Sequence, residues 1–505
     1  MSIKALAKDT AVYGLSSIIG RFLNWCLVPL YVYLFPSEEY GIVTYLYGIT
    51  AVMLVILNYG METGFFRFAN KEDNPERVYT TSLISVGSTS LIFLLLLTIF
   101  LRPVSVALKL PEHSLFIWLI GATVAVDAFS NLPFAYLRYK NRAWRFAGIK
   151  LINVALNIGL NLFFLLVCPW IEQRNPGLIS WFYSPLGGFS FGIGWIFIAN
   201  IISSYIILLL LMPQLMGRHW LFSVSLLKRM LSYSWPLLIL AIAGMLSQNM
   251  GQLLIPYLFS DEAAARSMVG IYGANMKIAI VMVMFTQAFR YAYEPFIFSQ
   301  AKNSGESSGK MYADAMKFFI IFGWLIFLGV MFYLPVLRYF ISPSYWEGLQ
   351  VVPVMMAAEL CFGVFFNLSL WYKLTDRTRW GMYLSLICFG IMLGLNIWLV
   401  PLIGIPDGYM GSAWAALAGY FIVMLISYFV GRHYYPLPYE VKRIAAYTAL
   451  AGVFYVTGML MDGIFPLWVT YCLRTLLLVI YIGIIAAFEN IPLLSPAIRR
   501  IAYKS

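Results

Sequence analysis

Residues 10–41 read TAVYGLSSIIGRFLNWCLVPLYVYLFPSEEYG, an apolar run with one arginine, Arg21, near its middle. The run is long enough to cross a bilayer, whose hydrocarbon core takes about 20 helical residues. From Thr10 to Arg21 is about 16 Å at 1.5 Å per helical residue, which puts the arginine close to the midplane. A cation at that depth costs on the order of 3 kcal/mol or more unless it faces a wet or anionic cavity. A chain that keeps such a residue points to something negative held or moved inside the membrane.

The composition extends that reading to the whole chain. Of 505 residues, 61% are hydrophobic and only 11% charged, against about 25% charged in a soluble domain. The apolar runs are continuous and lack period-two alternation, which excludes a β-barrel. The expected fold class is therefore an all-α polytopic membrane protein. The first ten residues, MSIKALAKDT, are basic, and no small-residue cleavage site follows the apolar stretch, so the first span is expected to be retained. The cysteines Cys26, Cys168, Cys361, Cys388 and Cys472 fall inside or at the ends of apolar runs at no metal-ligand spacing. They read as small packing residues, with no disulfide or zinc framework and no bound cofactor. His113, His219 and His433 fall in expected loops, which argues against a histidine proton relay in the membrane.

A 19-residue window gives about fourteen spans: 10–35, 41–65, 78–101, 114–137, 148–170, 190–212, 232–259, 267–290, 316–341, 349–372, 380–402, 409–430, 444–465 and 467–488. Only a turn around Phe465-Pro466 separates the last two, and a count of twelve or thirteen is the rival. With the N-terminus in the cytoplasm, 26 of the 34 Lys and Arg residues fall on cytoplasmic segments and five on outer loops. The other three, Arg21, Lys277 and Arg474, lie inside spans. So lopsided a distribution expects both termini inside. It also accounts for most of the +12 net charge without a nucleic-acid partner. The basic loop 138–150 (RYKNRAWRFAGIK) suits anionic headgroups or a diphosphate, or serves simply as topogenic charge with Trp144 at the interface. The longest loops, 171–189 and 291–315, are too short to fold alone. Neither a nucleotide-binding motif nor a large outer loop is present, which disfavours an ATP-driven pump and most membrane enzymes.

Two stretches repeat. Residues 20–35 (GRFLNWCLVPLYVYLF) and 244–259 (GMLSQNMGQLLIPYLF) have equal length and both run from Gly to Leu-Phe. Asn24 falls opposite Gln248. Each is followed by an acidic link and then Gly-Ile: Gly41-Ile42 with Tyr47-Gly48, and Gly270-Ile271 with Tyr272-Gly273. A repeat of six spans is even, so its copies are parallel and related by an axis along the membrane normal. The expected organisation is an N-lobe at 1–225, a C-lobe at 226–435, and two further spans with a cytoplasmic tail at 436–505.

Three stretches carry a family resemblance. The first is Gly20-Arg21, then Pro29-Leu30-Tyr31 and Pro36-Ser37-Glu38-Glu39-Tyr40-Gly41. The second is Gly60-Met61-Glu62-Thr63-Gly64-Phe65-Phe66-Arg67-Phe68. The third is Gly270-Ile271-Tyr272-Gly273-Ala274-Asn275-Met276-Lys277-Ile278 with Ala288-Phe289-Arg290-Tyr291-Ala292-Tyr293-Glu294-Pro295-Phe296. Over almost the whole chain the pattern resembles the multidrug/oligosaccharidyl-lipid/polysaccharide exporter superfamily. Within it the pattern is most similar to the polysaccharide transporter branch, the O-antigen and exopolysaccharide flippases. The resemblance implies a bacterial inner-membrane protein, not an enzyme, that moves a polyprenyl-diphosphate-linked oligosaccharide to the outer leaflet by rocking two lobes. Membrane lipids and glycan polymerases would be its partners.

The residues expected to do this are few. Arg21 and Lys277, one per lobe and each about 15 Å deep, suit a diphosphate, with Arg474 a helper that could instead snorkel outward. Asn24, Gln248 and Asn249 suit sugar hydroxyls or interhelical hydrogen bonds. Asp127 and Glu359, carboxylates deep in spans four and ten, are candidates for Na+ or H+ coupling, with Glu62 a third. Asp127 could equally be the counter-ion of Arg21 or Lys277, and Glu62 lies near the cytoplasmic end. Arg290 and Glu294, one turn apart, suit a local salt bridge. A cation-coupled drug exporter of the same superfamily is one alternative and would want an acidic cavity. A membrane glycan polymerase or ligase is another and would want a large outer loop.

Overall fold

The structure is a computed structural model describing residues 14, 18–183, 187–217, 219–300, 307–375, 377 and 379–489. The N-terminal segment, the tail beyond 489 and the 301–306 tip therefore lie outside the described residues. Each expected span contains an apolar helix: α1 Ile18–Leu34, α2 Ser37–Ala69, α3 Pro75–Ile99, α4 Pro111–Tyr139, α5 Ala143–Arg174, α6 Gly194–Leu210, α7 Val224–Gln248, α8 Glu262–Arg290, α9 Gly309–Phe332, α10 Pro343–Leu374, α11 Arg379–Ile403, α12 Tyr409–Tyr434, α13 Val441–Leu460 and α14 Leu467–Glu489. Among the described residues twelve of these are long and apolar enough to cross a membrane, α6 is shorter, and α1 is described from Ile18 on. Among the described residues there is no strand.

Two compact units emerge, residues 1–274 with 381–415, and residues 275–380 with 416–505. The boundaries fall inside α8, at the start of α11 and inside α12, so the units divide the chain at other places than the repeat does.

In the first unit, α2 starts after Pro36 with Glu38 and Glu39 in its first turn, where the helix dipole favours negative charge. It breaks at Tyr59 and Gly60, both with left-handed backbone at φ 31° and 70°, and resumes as Met61–Ala69. Glycine takes that conformation at little cost, and the Gly60 carbonyl accepts a hydrogen bond from Ser234 Oγ of α7 at 3.2 Å. Around the resumed turn lies a dense aromatic core. Phe65, Tyr79, Tyr136 and Met230 are buried together, with the Tyr79 and Tyr136 rings stacked 4.3 Å apart.

A close helix approach in this unit joins the two copies of the repeat. A Cβ placed on Gly41 of α2 would collide with the Arg266 carbonyl oxygen, and one on Gly270 of α8 would collide with that of Ser37. The Gly41 position would also lie 3.2 Å from the Gly270 nitrogen, and the Gly270 position 3.0 Å from the Gly41 nitrogen. The contact is thus reciprocal. Missing side chains let the backbones touch, as small-residue motifs do in membranes generally. Around it, Ser37 Oγ and Ser267 Oγ are 2.7 Å apart. Arg266 Nη2 and Nε donate to Glu38 Oε1 at 2.7 and 3.1 Å.

The second unit packs α9 against α10, α13 and α14. At one end Lys317, 5% exposed, holds Glu489 (2.7 Å), Glu440 (3.1 Å) and Asp314 (3.2 Å). This lysine, counted above as topogenic charge, ties α9 to both C-terminal helices. Its ammonium holds the Glu440 carboxyl below the usual carboxylate range.

Candidate functional site

Helix α1 rests on α5 through Gly20, where a Cβ would lie 3.2 Å from Val154 Cγ2. That contact leaves Arg21 and Asn24, one turn apart, exposed. Among the described residues Arg21 has neither a carboxylate partner nor a hydrogen bond. The counter-ion pairing considered from sequence is absent there.

Asp127 of α4 is half-buried, and its polar neighbours are Ser204 of α6 and Lys150 of α5. Lys150 in turn faces Arg138 and Glu62, and its ammonium sits 4.1 Å from the centre of the Phe134 ring. Glu62 is bonded to Arg138, whose guanidinium also lies over Phe66 at 5.1 Å. Asp127 therefore finds its cation on α5 rather than in Arg21. We expect a double-mutant cycle of Asp127→Asn and Lys150→Met, read by thermal stability in detergent, to show coupling of about 0.5–3 kcal/mol. K150M alone should cost more than the double variant, because it leaves Asp127 uncompensated. Additive losses would remove this pair.

Next to it runs a ladder of side chains that sequence reasoning passed over. Asn157 Nδ2 donates to Asn200 Oδ1 at 2.6 Å, and Asn200 Nδ2 to the Tyr47 hydroxyl at 2.7 Å. Ser203 Oγ donates to Asn153 Oδ1 at 2.6 Å, and Asn161 Nδ2 to the Asn157 carbonyl at 2.8 Å. The signal was present in the sequence: Asn153, Asn157 and Asn161 recur every four residues in an otherwise apolar helix, which puts them on one face.

In the second unit, Glu359 of α10 is 7% exposed and has no hydrogen bond or ion pair among the described residues. One turn on, a Cβ at Gly363 would meet Thr286 Oγ1 of α8 at 2.9 Å. Another turn on is Asn367. Thr286 Oγ1 and Asn367 Nδ2 are both buried without a hydrogen-bond partner. Lys277 of α8 is half-buried and engaged by a neighbour.

The other expected residues have local duties. Gln248 is exposed at the end of α7. Asn249 Nδ2 donates to the Met245 carbonyl at 2.9 Å, closing α7 before the short helix Met250–Leu258. Arg290 lies 4.2 Å from the Phe366 ring; the side chain of Glu294 is outside the described residues, and with it the expected salt bridge. Arg474 corrects the expectation of an outward-snorkelling side chain. It is fully buried and donates to the Gly458 carbonyl through Nε (3.0 Å) and Nη2 (2.9 Å), and to the Phe332 carbonyl through Nη1 (3.2 Å). Its Nη2 also reaches Asp462 Oδ2 at 2.7 Å. It fastens α14 to α13 and α9.

The chain is similar in fold to several solved transporters. The lipid II flippase MurJ in an inward closed conformation aligns with a TM-score of 0.73 at 12% identity, covering 96% of this chain and 100% of that one. An inward-facing multidrug resistance MATE family transporter of the MOP superfamily aligns at 0.63 and 13% identity, covering 85% and 95%. An outward-facing MATE family transporter of that superfamily aligns at 0.54 and 15%, covering 87% and 96%. No curated protein matches the chain by sequence. The family model for polysaccharide biosynthesis proteins matches residues 6–300. A multi-span helical chain with this fold, matched over more than half its length, belongs to the polysaccharide biosynthesis protein family.

Proposed function

We propose that the protein is a flippase of the bacterial inner membrane. It carries a polyprenyl-diphosphate-linked oligosaccharide, an O-antigen or exopolysaccharide unit, from the cytoplasmic to the outer leaflet by alternating access of its two six-span lobes. The observation that carries this reading is Arg21, a cation on the first span, exposed and without a partner among the described residues. A diphosphate bears about two negative charges, and a guanidinium fork meets phosphate oxygens with two parallel hydrogen bonds. Lys277 supplies the second charge, and Asn24 and Gln248, both exposed, take sugar hydroxyls. Asp127 and Glu359 serve Na+ or H+ coupling.

The fold shared with a lipid II flippase supports the substrate class, and the family supports the glycan. The drug-exporter alternative draws on the same fold and on the carboxylates Asp127 and Glu359, but it gives Arg21 nothing to do. The polymerase alternative needs an outer domain. Residues 175–183 and 187–193 instead form short turns, and Tyr183 packs 4.7 Å from Trp195 in α6.

Surface glycan on cells that depend on this protein tests the reading. Arg21→Ala should lower export roughly tenfold or more, the loss of a charged hydrogen bond being worth about 1.5–3 kcal/mol, and Lys277→Ala should act in the same direction. Normal export by both variants, expressed at wild-type levels, would remove the cationic site.

A further inference from the structure

Where α9, α13 and α14 end together, a cavity of about 160 Å³ is lined by Arg338, Arg474, Asp462, Met331, Leu334 and Met459, among others. That volume matches cavities known to hold a benzene-sized guest. Two of the lining groups are arginines, against one carboxylate, so the cavity carries a net positive charge.

Both arginines have donors to spare. A guanidinium has five N–H groups. Those of Arg474 make four hydrogen bonds, which leaves one on Nη1. Arg338 Nε is buried with no hydrogen-bond partner, and no carboxylate pairs with Arg338 among the described residues. Its plane is held in place all the same. The guanidinium lies 4.3 Å from the Trp346 ring and 5.2 Å from Tyr339, while Trp346 Nε1 donates to the Arg338 carbonyl at 2.9 Å. A buried, unpaired, pre-oriented donor is costly unless something accepts from it.

The chain next to the cavity says what that something is. Leu460, Ile464, Leu467 and Trp468, close in sequence to the lining residues Met459 and Asp462 at the adjoining ends of α13 and α14, are exposed. This apolar surface suits acyl chains, with a tryptophan of the kind found at headgroup level. We propose that this cavity binds the phosphate of a lipid headgroup, with Arg338 as the principal donor, Arg474 as the second and the Leu460–Trp468 segment against the chains. The site is separate from Arg21 and does not depend on what the protein transports.

The test measures thermal unfolding of the purified full-length protein in detergent, titrated with phosphatidylglycerol, with diacylglycerol of the same chains, or with inorganic phosphate. Phosphatidylglycerol should raise the melting temperature, and the other two at equal concentration should not. Arg338→Gln should weaken the apparent affinity for phosphatidylglycerol by roughly tenfold, as expected for losing a charge-assisted hydrogen bond. Arg338→Lys keeps the charge without the fork, should fall between the two, and serves as the test if R338Q does not fold. An unchanged affinity in the variant that folds would overturn the site. A full shift from inorganic phosphate alone would overturn the lipid, and one from diacylglycerol would overturn the phosphate.

Discussion

Alanine at Gly41 or at Gly270 is expected to destabilise the purified protein by about 1–3 kcal/mol each, and to cut export more than any other single methyl group would. The magnitude is that of forcing an extra group into a tight contact. Here the obstacle is a backbone carbonyl, of Arg266 or of Ser37, and it cannot swing aside as a side chain can. Each substitution should push α2 and α8 apart at the point where the two copies of the repeat meet. Gly159→Ala is the control. A Cβ there meets nothing within 4 Å, so only the helix preference of alanine remains, a gain of up to about 1 kcal/mol. The three variants should therefore separate by sign when melting temperatures are compared in one detergent. If G41A and G270A melt with the wild type, the backbone contact is not tight in the folded protein.

Arg474→Met should be the most damaging change in the C-terminal helices, costing about 3 kcal/mol or more. The methionine fills much of the volume, but it leaves the buried Gly458 and Phe332 carbonyls without the guanidinium donors, at about 1–3 kcal/mol for each buried group. Asp462→Asn should cost much less, since that side chain is 56% exposed and water can replace its partner. The comparison also decides between two roles for the arginine. A staple predicts that R474M loses stability first, with export falling in proportion to folded protein. A variant that kept wild-type melting and still lost export would place Arg474 on the transport path.

The sequence shows the helices clearly and the site only partly, for a physical reason. Spans announce themselves through length and hydropathy, which need no partner, so every expected run contains a helix. The Gly-Ile pairs at 41 and 270 could be matched by eye, because a backbone contact leaves glycine as its trace. Deep charges are legible as charges, but their partners are not. Lys150 and Lys317 look like loop residues near span ends, yet one faces Asp127 and the other is 5% exposed among three carboxylates. Arg474 looks close enough to a span end to reach water, yet three helices close over it. Asn153, Asn157 and Asn161 showed the four-residue period, and it was masked by the apolar residues between them. Which charges meet depends on packing between distant helices, and hydropathy is silent about that.

The reciprocal contact between Gly41 and Gly270 is the kind two identical subunits make about a dyad, each offering the other the same patch. In such a homodimer every residue near the axis would face its own type. Aligning Gly41 with Gly270 makes Ser37 the counterpart of Arg266 and Glu38 that of Ser267, so the acid of one copy meets the base of the other. A dimer of identical halves could not hold that bond without also setting its mirror image. Joining the two copies in one polypeptide lets equivalent positions carry different residues, Arg266 against Ser37 and Glu38 against Ser267, so the ion pair forms once and in one orientation.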